Sequence, residues 1–94
     1  MAVNRLQIIA EFCGHGVGKV FHASPMVIHD RNNQRDKMQL WQTFTIEPIL
    51  CTGAPRHRVW PDKWTVVTKD GGLAAQYEHT ILITPDGAEV LTVA

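Results

Sequence analysis

The sequence predicts a small, mostly antiparallel β domain, and two observations carry that expectation. Runs of β-forming residues recur between glycine- and proline-bearing turns from Thr43 onward. No segment carries the pattern of a long amphipathic helix. The 94 residues suffice for one domain with a thin core. A lone sheet needs a second layer over its apolar face. That layer is missing here, so the chain is expected to leave apolar surface open.

The elements follow in order. Leu6 to Phe12 is a short apolar run containing Glu11. In Gly14-His15-Gly16-Val17-Gly18 the glycine density marks a tight turn or close backbone approach. Asp30 to Lys37 is polar throughout and reads as an exposed loop. Thr43 to Leu50 is rich in β-formers and reads as one strand, and Gly53 to Asp62, with two prolines, as a connection. Trp64 to Thr68 is a short strand and Lys69-Asp70-Gly71-Gly72 a turn. Ala75 to Thr84 reads as a strand, Pro85-Asp86-Gly87 as a hairpin turn, and Ala88 to Val93 as the returning strand.

Lysine plus arginine balance aspartate plus glutamate at nine each, which offers no electrostatic attraction to nucleic acid or to a membrane surface. No apolar run approaches the length of a membrane-spanning helix. Met1 to Gln7 lacks the apolar stretch of a secretory signal. Cys13 and Cys51 are therefore expected as two reduced thiols rather than one disulfide.

Two glutamates lie inside predicted strands. Alternation puts Thr43, Thr45 and Glu47 on one face, with Phe44 and Ile46 opposite. It likewise groups Gln76, Glu78 and Thr80 against Tyr77, His79 and Ile81. These polar stripes admit two readings. Both face water, or both line one interior site where a metal ion satisfies several carboxylates at once. His15, between two glycines, and His22 add nitrogen donors. Such a nitrogen and oxygen set suits manganese, iron, cobalt or zinc. The spacing fits no short structural-zinc pattern, and the cysteines lie far apart.

Cys13-Gly14-His15-Gly16-Val17-Gly18 followed by Phe21-His22 resembles the glycine-histidine segment of methionine aminopeptidases. Phe44-Thr45-Ile46-Glu47-Pro48 resembles the first glutamate strand of that family. Trp64 to Gly71 and then Ala75-Gln76-Tyr77-Glu78-His79-Thr80 resemble its second glutamate segment. The resemblance runs from about Ile8 to Thr92. The absence of a large insertion between the histidines and the glutamate strand resembles the type 1 enzymes, and Trp60-Pro61-Asp62 resembles eukaryotic members.

The resemblance implies an α+β fold. Residues 1–94 would form the C-terminal half of a pita-bread metallopeptidase domain, mostly antiparallel β in this part. It implies two divalent metal ions (Co, Mn, Fe or Zn) in the complete enzyme. His15 and Glu47 would ligate one of them and Glu78 would bridge both. His22 would be the catalytic and substrate-binding histidine near the scissile peptide. Trp64 is either a wall of the methionine pocket or a core aromatic. Gln76 and His79 flank a ligand and either support it or pack in the sheet. His29 and His57 fall in loops and receive no role.

The chain departs from the family at several points. The two aspartate ligands and a further histidine belong to the N-terminal half, and Asp30, Asp36, Asp62, Asp70 and Asp86 lie outside the relevant motif. Gln39-Leu40-Trp41-Gln42 stands where a Lys-Pro-Gly type turn is usual, and Lys63 replaces a usual glycine before Trp64.

The implied function is removal of the initiator methionine from nascent polypeptide N-termini. The fragment is expected to be inactive alone, and its expected partner is the missing N-terminal half. The alternative is a non-catalytic protein-binding module derived from the same fold. The presence of His15, Glu47 and Glu78 favours the enzyme. The implied compartment is the cytoplasm, or a mitochondrion or plastid if a targeting segment belonged to the missing half.

Overall fold

The structure, a computed structural model, describes residues 5–93. The reading of Met1 to Gln7 lies largely outside them. The described residues form ten strands and no helix. These are β1 (Gln7–Ile8), β2 (Gly14–Gly16), β3 (Ala23–Val27), β4 (Thr43–Ile46), β5 (Ile49–Cys51), β6 (His57–Val59), β7 (Val66–Thr68), β8 (Ala74–Gln76), β9 (His79–Thr84) and β10 (Gly87–Val90).

Every pairing is antiparallel. Five strands form a sheet in the order β10-β9-β4-β2-β3, and three form a second sheet in the order β1-β5-β8. The β6-β7 hairpin stands apart. Strand β4 joins the two halves of the larger sheet because it pairs with β9 on one side and β2 on the other. Its Phe44 faces Ile81 of β9 in register, and both are buried. Burying an apolar side chain of this size stabilises a fold by about 1.5–3 kcal/mol. The only other buried apolar residues among those described are Ile9 and Cys51. Cys13 and Cys51 are both free thiols.

The strand expected over Thr43 to Leu50 is two strands, broken at Glu47-Pro48. Proline has no N–H for a ladder, so β4 ends before it. Likewise, the strand expected over Ala75 to Thr84 is broken at Tyr77-Glu78. The connection expected over Gly53 to Asp62 contains β6, which pairs with β7 from His57↔Thr68 to Val59↔Val66. The returning strand stops at Val90 because the chain turns there, and the Leu91 N–H donates to the Thr80 carbonyl at 2.9 Å.

The exposed apolar surface is large. Phe21, Met26, Met38, Trp41, Trp64, Leu73 and Tyr77 are each more than half exposed. The radius of gyration is 15.1 Å, whereas a compact domain of this length has about 12 Å. The chain is an open shell of sheet, as the missing second layer implies.

Candidate metal centre

Strand β2 is squeezed between β4 and β3, and its composition permits that. A Cβ on Gly14 would run into the Thr45 carbonyl, and one on Gly16 into the Ser24 carbonyl. Glycine at both positions lets three backbones approach closely, with His15 carrying the only side chain of the strand. The close approach read from the glycines is thus present, as a strand rather than a turn.

The two glutamates sit where the chain passes from one sheet to the other. Glu47 lies between β4 and β5, and Glu78 between β8 and β9. Strands β4 and β9 pair down to Ile46↔His79, and β5 and β8 resume at Ile49↔Gln76. One register therefore runs on both sides of the break, which places Glu47 opposite Glu78 and Pro48 opposite Tyr77. Facing residues of an antiparallel pair project their side chains to the same face.

His15, Glu47 and Glu78 converge as a result. Each offers a ligand atom, and the three atoms lie within 4.8 Å of one another. His15 Nε2 is 3.2 Å from Glu47 Oε1, with side-chain exposures of 15% and 19%. Glu78 is exposed. His15 Nδ1 lies 3.0 Å from the Gly16 carbonyl. A carbonyl only accepts, so Nδ1 carries a proton, and Nε2 is the ring nitrogen that faces Glu47. With Nε2 as a lone pair, the form of the ring that ligates a metal, it and the carboxylate are two acceptors face to face. A cation between them satisfies both, and donors about 2.0–2.2 Å from an ion sit roughly at this separation. The residues present therefore fit a divalent metal ion.

Supporting bonds hold this arrangement. Thr45, 2% exposed, donates its hydroxyl to Glu47 Oε1 at 2.9 Å and accepts the His15 N–H at 3.0 Å. The Thr45–Glu47 bond follows the alternation that grouped them. His29, given no role from the sequence, accepts the Glu47 N–H on Nε2 at 3.0 Å, while its Nδ1 reaches the Phe12 carbonyl at 3.4 Å. It thereby satisfies the Glu47 N–H in the break between β4 and β5. Its only mark in the sequence is its place directly after apolar Val27-Ile28.

The remaining predicted residues are placed as follows. His22 is exposed, with its ring centroid 4.4 Å from that of His15 at 68° and 3.9 Å from that of Phe21. Both histidines line a shallow depression of about 380 Å³ with Cys13, Ser24 and Met26. Trp64 is 81% exposed, so it is not in the core of the described residues, and it is not among the residues of that depression. Gln76 is exposed at the end of β8. His79 Nδ1 bonds the Thr92 hydroxyl at 2.8 Å. His57 packs edge-on against Phe12 with centroids 4.9 Å apart.

Two of the aspartates outside the motif, Asp62 and Asp70, hold turns. Asp62 accepts the Thr65 hydroxyl and the N–H groups of Trp64 and Thr65. Asp70 accepts the N–H groups of Ala54 and Gly72. The Thr65 hydroxyl foremost holds the Asp62 carboxyl below its ordinary range, and the Gly72 N–H does the same for Asp70. Both departures from the family pattern fall on left-handed backbone, with φ of 66° at Trp41 and 61° at Lys63.

The profile of metallopeptidase family M24 matches residues 2–85. The chain belongs to metallopeptidase family M24. Within M24, it is 60% identical over 85 residues to methionine aminopeptidase 1D, chloroplastic/mitochondrial, of Arabidopsis thaliana, covering 90% of this chain and 24% of the relative. It is 44% identical over 89 residues to a methionine aminopeptidase of Buchnera aphidicola, covering 95% of this chain and 34% of that one. The crystal structure of methionine aminopeptidase from Rickettsia prowazekii superposes with a TM-score of 0.86 at 37% identity, over 94% of this chain and 36% of the other. The M24 chain thus spans a quarter to a third of the length of these relatives. The likeness to type 1 methionine aminopeptidases and the pita-bread fold read from the motifs are borne out, and the all-strand architecture is part of that M24 fold.

Proposed function

We infer that this M24 chain is most of the C-terminal half of the metallopeptidase domain of a methionine aminopeptidase. It would supply part of a metal centre that removes the initiator methionine from nascent polypeptides. The observation that carries this reading is the convergence of His15, Glu47 and Glu78 within 4.8 Å in a chain so similar to those enzymes. His15 Nε2 and a Glu47 carboxylate oxygen would hold one ion, and the Glu78 carboxylate would be shared with a second, of Co, Mn, Fe or Zn. Divalent ions at such a site supply a Lewis acid for the scissile carbonyl and activate water.

The chain's own residues do the rest. The Gly16 carbonyl fixes the His15 tautomer, and Thr45 turns the Glu47 carboxylate toward it. His22, beside His15, would hydrogen-bond the peptide near the scissile bond, and Trp64 would meet the methionine side chain. The exposed apolar face would pack against the half that brings two aspartate ligands. Cytoplasm is the proposed compartment, with an organelle as the alternative that the Arabidopsis relative's name supports.

The test is peptidase assay of the purified chain, alone and co-expressed with an aspartate-bearing N-terminal half of a relative. Turnover of a Met-Ala-Ser peptide is expected only from the pair, and it should disappear with Glu47→Ala. Robust turnover by the chain alone, or by the pair carrying Glu47→Ala, would overturn the reading.

A further inference from the structure

Thr45 is the most deeply buried polar residue among those described, at 2% exposure. A buried hydroxyl must be satisfied, and here both of its partners belong to the candidate metal ligands. Its single proton goes to Glu47 Oε1 at 2.9 Å, and a lone pair takes the His15 N–H at 3.0 Å. That Oε1 is the same oxygen that faces His15 Nε2 at 3.2 Å. The hydroxyl therefore joins the backbone of one ligand to the carboxylate of the other.

The bond to His15 also explains why the residue stands where it does. Strand β2 meets β4 through the single register pair Gly16↔Phe44, so the ladder between them is short. The His15 N–H turns to the Thr45 side chain for its acceptor. A second threonine two residues earlier repeats the device, since the Thr43 hydroxyl donates to the Val17 carbonyl. The Thr45 side chain thus supplies the acceptor that the short ladder lacks at His15, and the Thr43 side chain adds to the backbone bond from the Val17 N–H to the Thr43 carbonyl at 3.3 Å.

We propose that Thr45 is a positioning residue of the metal centre, whose hydroxyl sets the rotamer of the Glu47 carboxylate and the strand position of His15 together. This rests on the metal reading above. Valine keeps the shape and removes both bonds, leaving a buried donor without a partner. Serine keeps the hydroxyl and removes the methyl group. A packing role and a positioning role therefore predict opposite rankings for the two variants.

The experiment uses the 94-residue chain in three forms: wild type, Thr45→Val and Thr45→Ser. Co(II) titration is followed by visible absorption, with Glu47→Gln as the control. Loss of a group that orients a metal ligand costs about 10–100-fold in affinity. Thr45→Val is expected to fall in that range, with Thr45→Ser close to wild type. Hydrogen exchange of the His15 amide, measured by NMR without metal, is expected to quicken at least about tenfold in Thr45→Val and to be restored in Thr45→Ser. The Ile81 amide serves as the reference for an intact β4-β9 sheet.

Wild-type affinity and His15 exchange in Thr45→Val would overturn the proposal while leaving the metal reading standing. So would Thr45→Ser faring worse than Thr45→Val. If the wild-type chain takes up no Co(II), its three candidate ligands do not hold the ion without the aspartate-bearing half. The amide exchange then decides the Thr45 proposal by itself, and an unchanged His15 rate in Thr45→Val overturns it.

Discussion

Glu47 and Glu78 face each other across a break in a ladder whose register is the same on both sides, from Ile46↔His79 to Ile49↔Gln76. Like charges directly opposite on paired strands destabilise a sheet. A cation shared by the two carboxylates reverses that sign. Without metal, Glu78→Gln is therefore expected to stabilise the chain by a few tenths of a kcal/mol, up to about 1. With Co(II), the same variant should lose the stabilisation that the wild type gains. Urea unfolding in chelator and in Co(II) measures both. A variant less stable in chelator, or one that keeps the full metal-dependent gain, contradicts the shared site.

Lys63 adopts left-handed backbone with φ of 61°. A residue with a Cβ is disfavoured there by roughly 1–2 kcal/mol, whereas glycine is not. Glycine also gains freedom in the unfolded chain, worth about 0.5–1 kcal/mol. Lys63→Gly should thus stabilise the chain by about 0.5–1 kcal/mol net, read as a rise in urea midpoint at unchanged slope. A lower midpoint would show that the Lys63 side chain holds the turn.

Asp62 ties the turn before β7 through three accepted hydrogen bonds. These hold its carboxyl below the ordinary value of 3.8, with the Thr65 hydroxyl the largest cause. A depressed folded pKa means stability that is present above the unfolded value and lost as pH falls through the folded one. The chain should therefore lose stability from about pH 4 downward, and part of that slope should vanish in Asp62→Asn. Thermal unfolding from pH 6 to pH 2.5 measures it. An identical slope in the variant would remove Asp62 from the account.

Much of the site was legible because strand alternation and glycine sterics are local. The polar stripe Thr43-Thr45-Glu47 and the close approach at Gly14 and Gly16 both follow from neighbouring residues. The family itself was legible from the order of its motifs. What local pattern does not carry is pairing. The facing of Glu47 and Glu78 depends on a register that spans two sheets, and the Glu47-Pro48 break looked like the middle of one strand. His29 shows the same limit, since its bond to the Glu47 N–H crosses 18 residues. Strand β6 was hidden by the prolines on either side of it.

The most direct measurement is metal stoichiometry, by elemental analysis, of the chain joined to an aspartate-bearing N-terminal half. His15 and His22 lie ring against ring with centroids 4.4 Å apart, yet only His15 belongs to the converging group with Glu47 and Glu78. His15→Ala should lower metal affinity by about tenfold or more. His22→Ala should keep its metal and lose turnover on a Met-Ala-Ser peptide. Loss of metal from His22→Ala with full retention in His15→Ala would contradict the account, and the centre would have to be rebuilt around His22, Glu47 and Glu78.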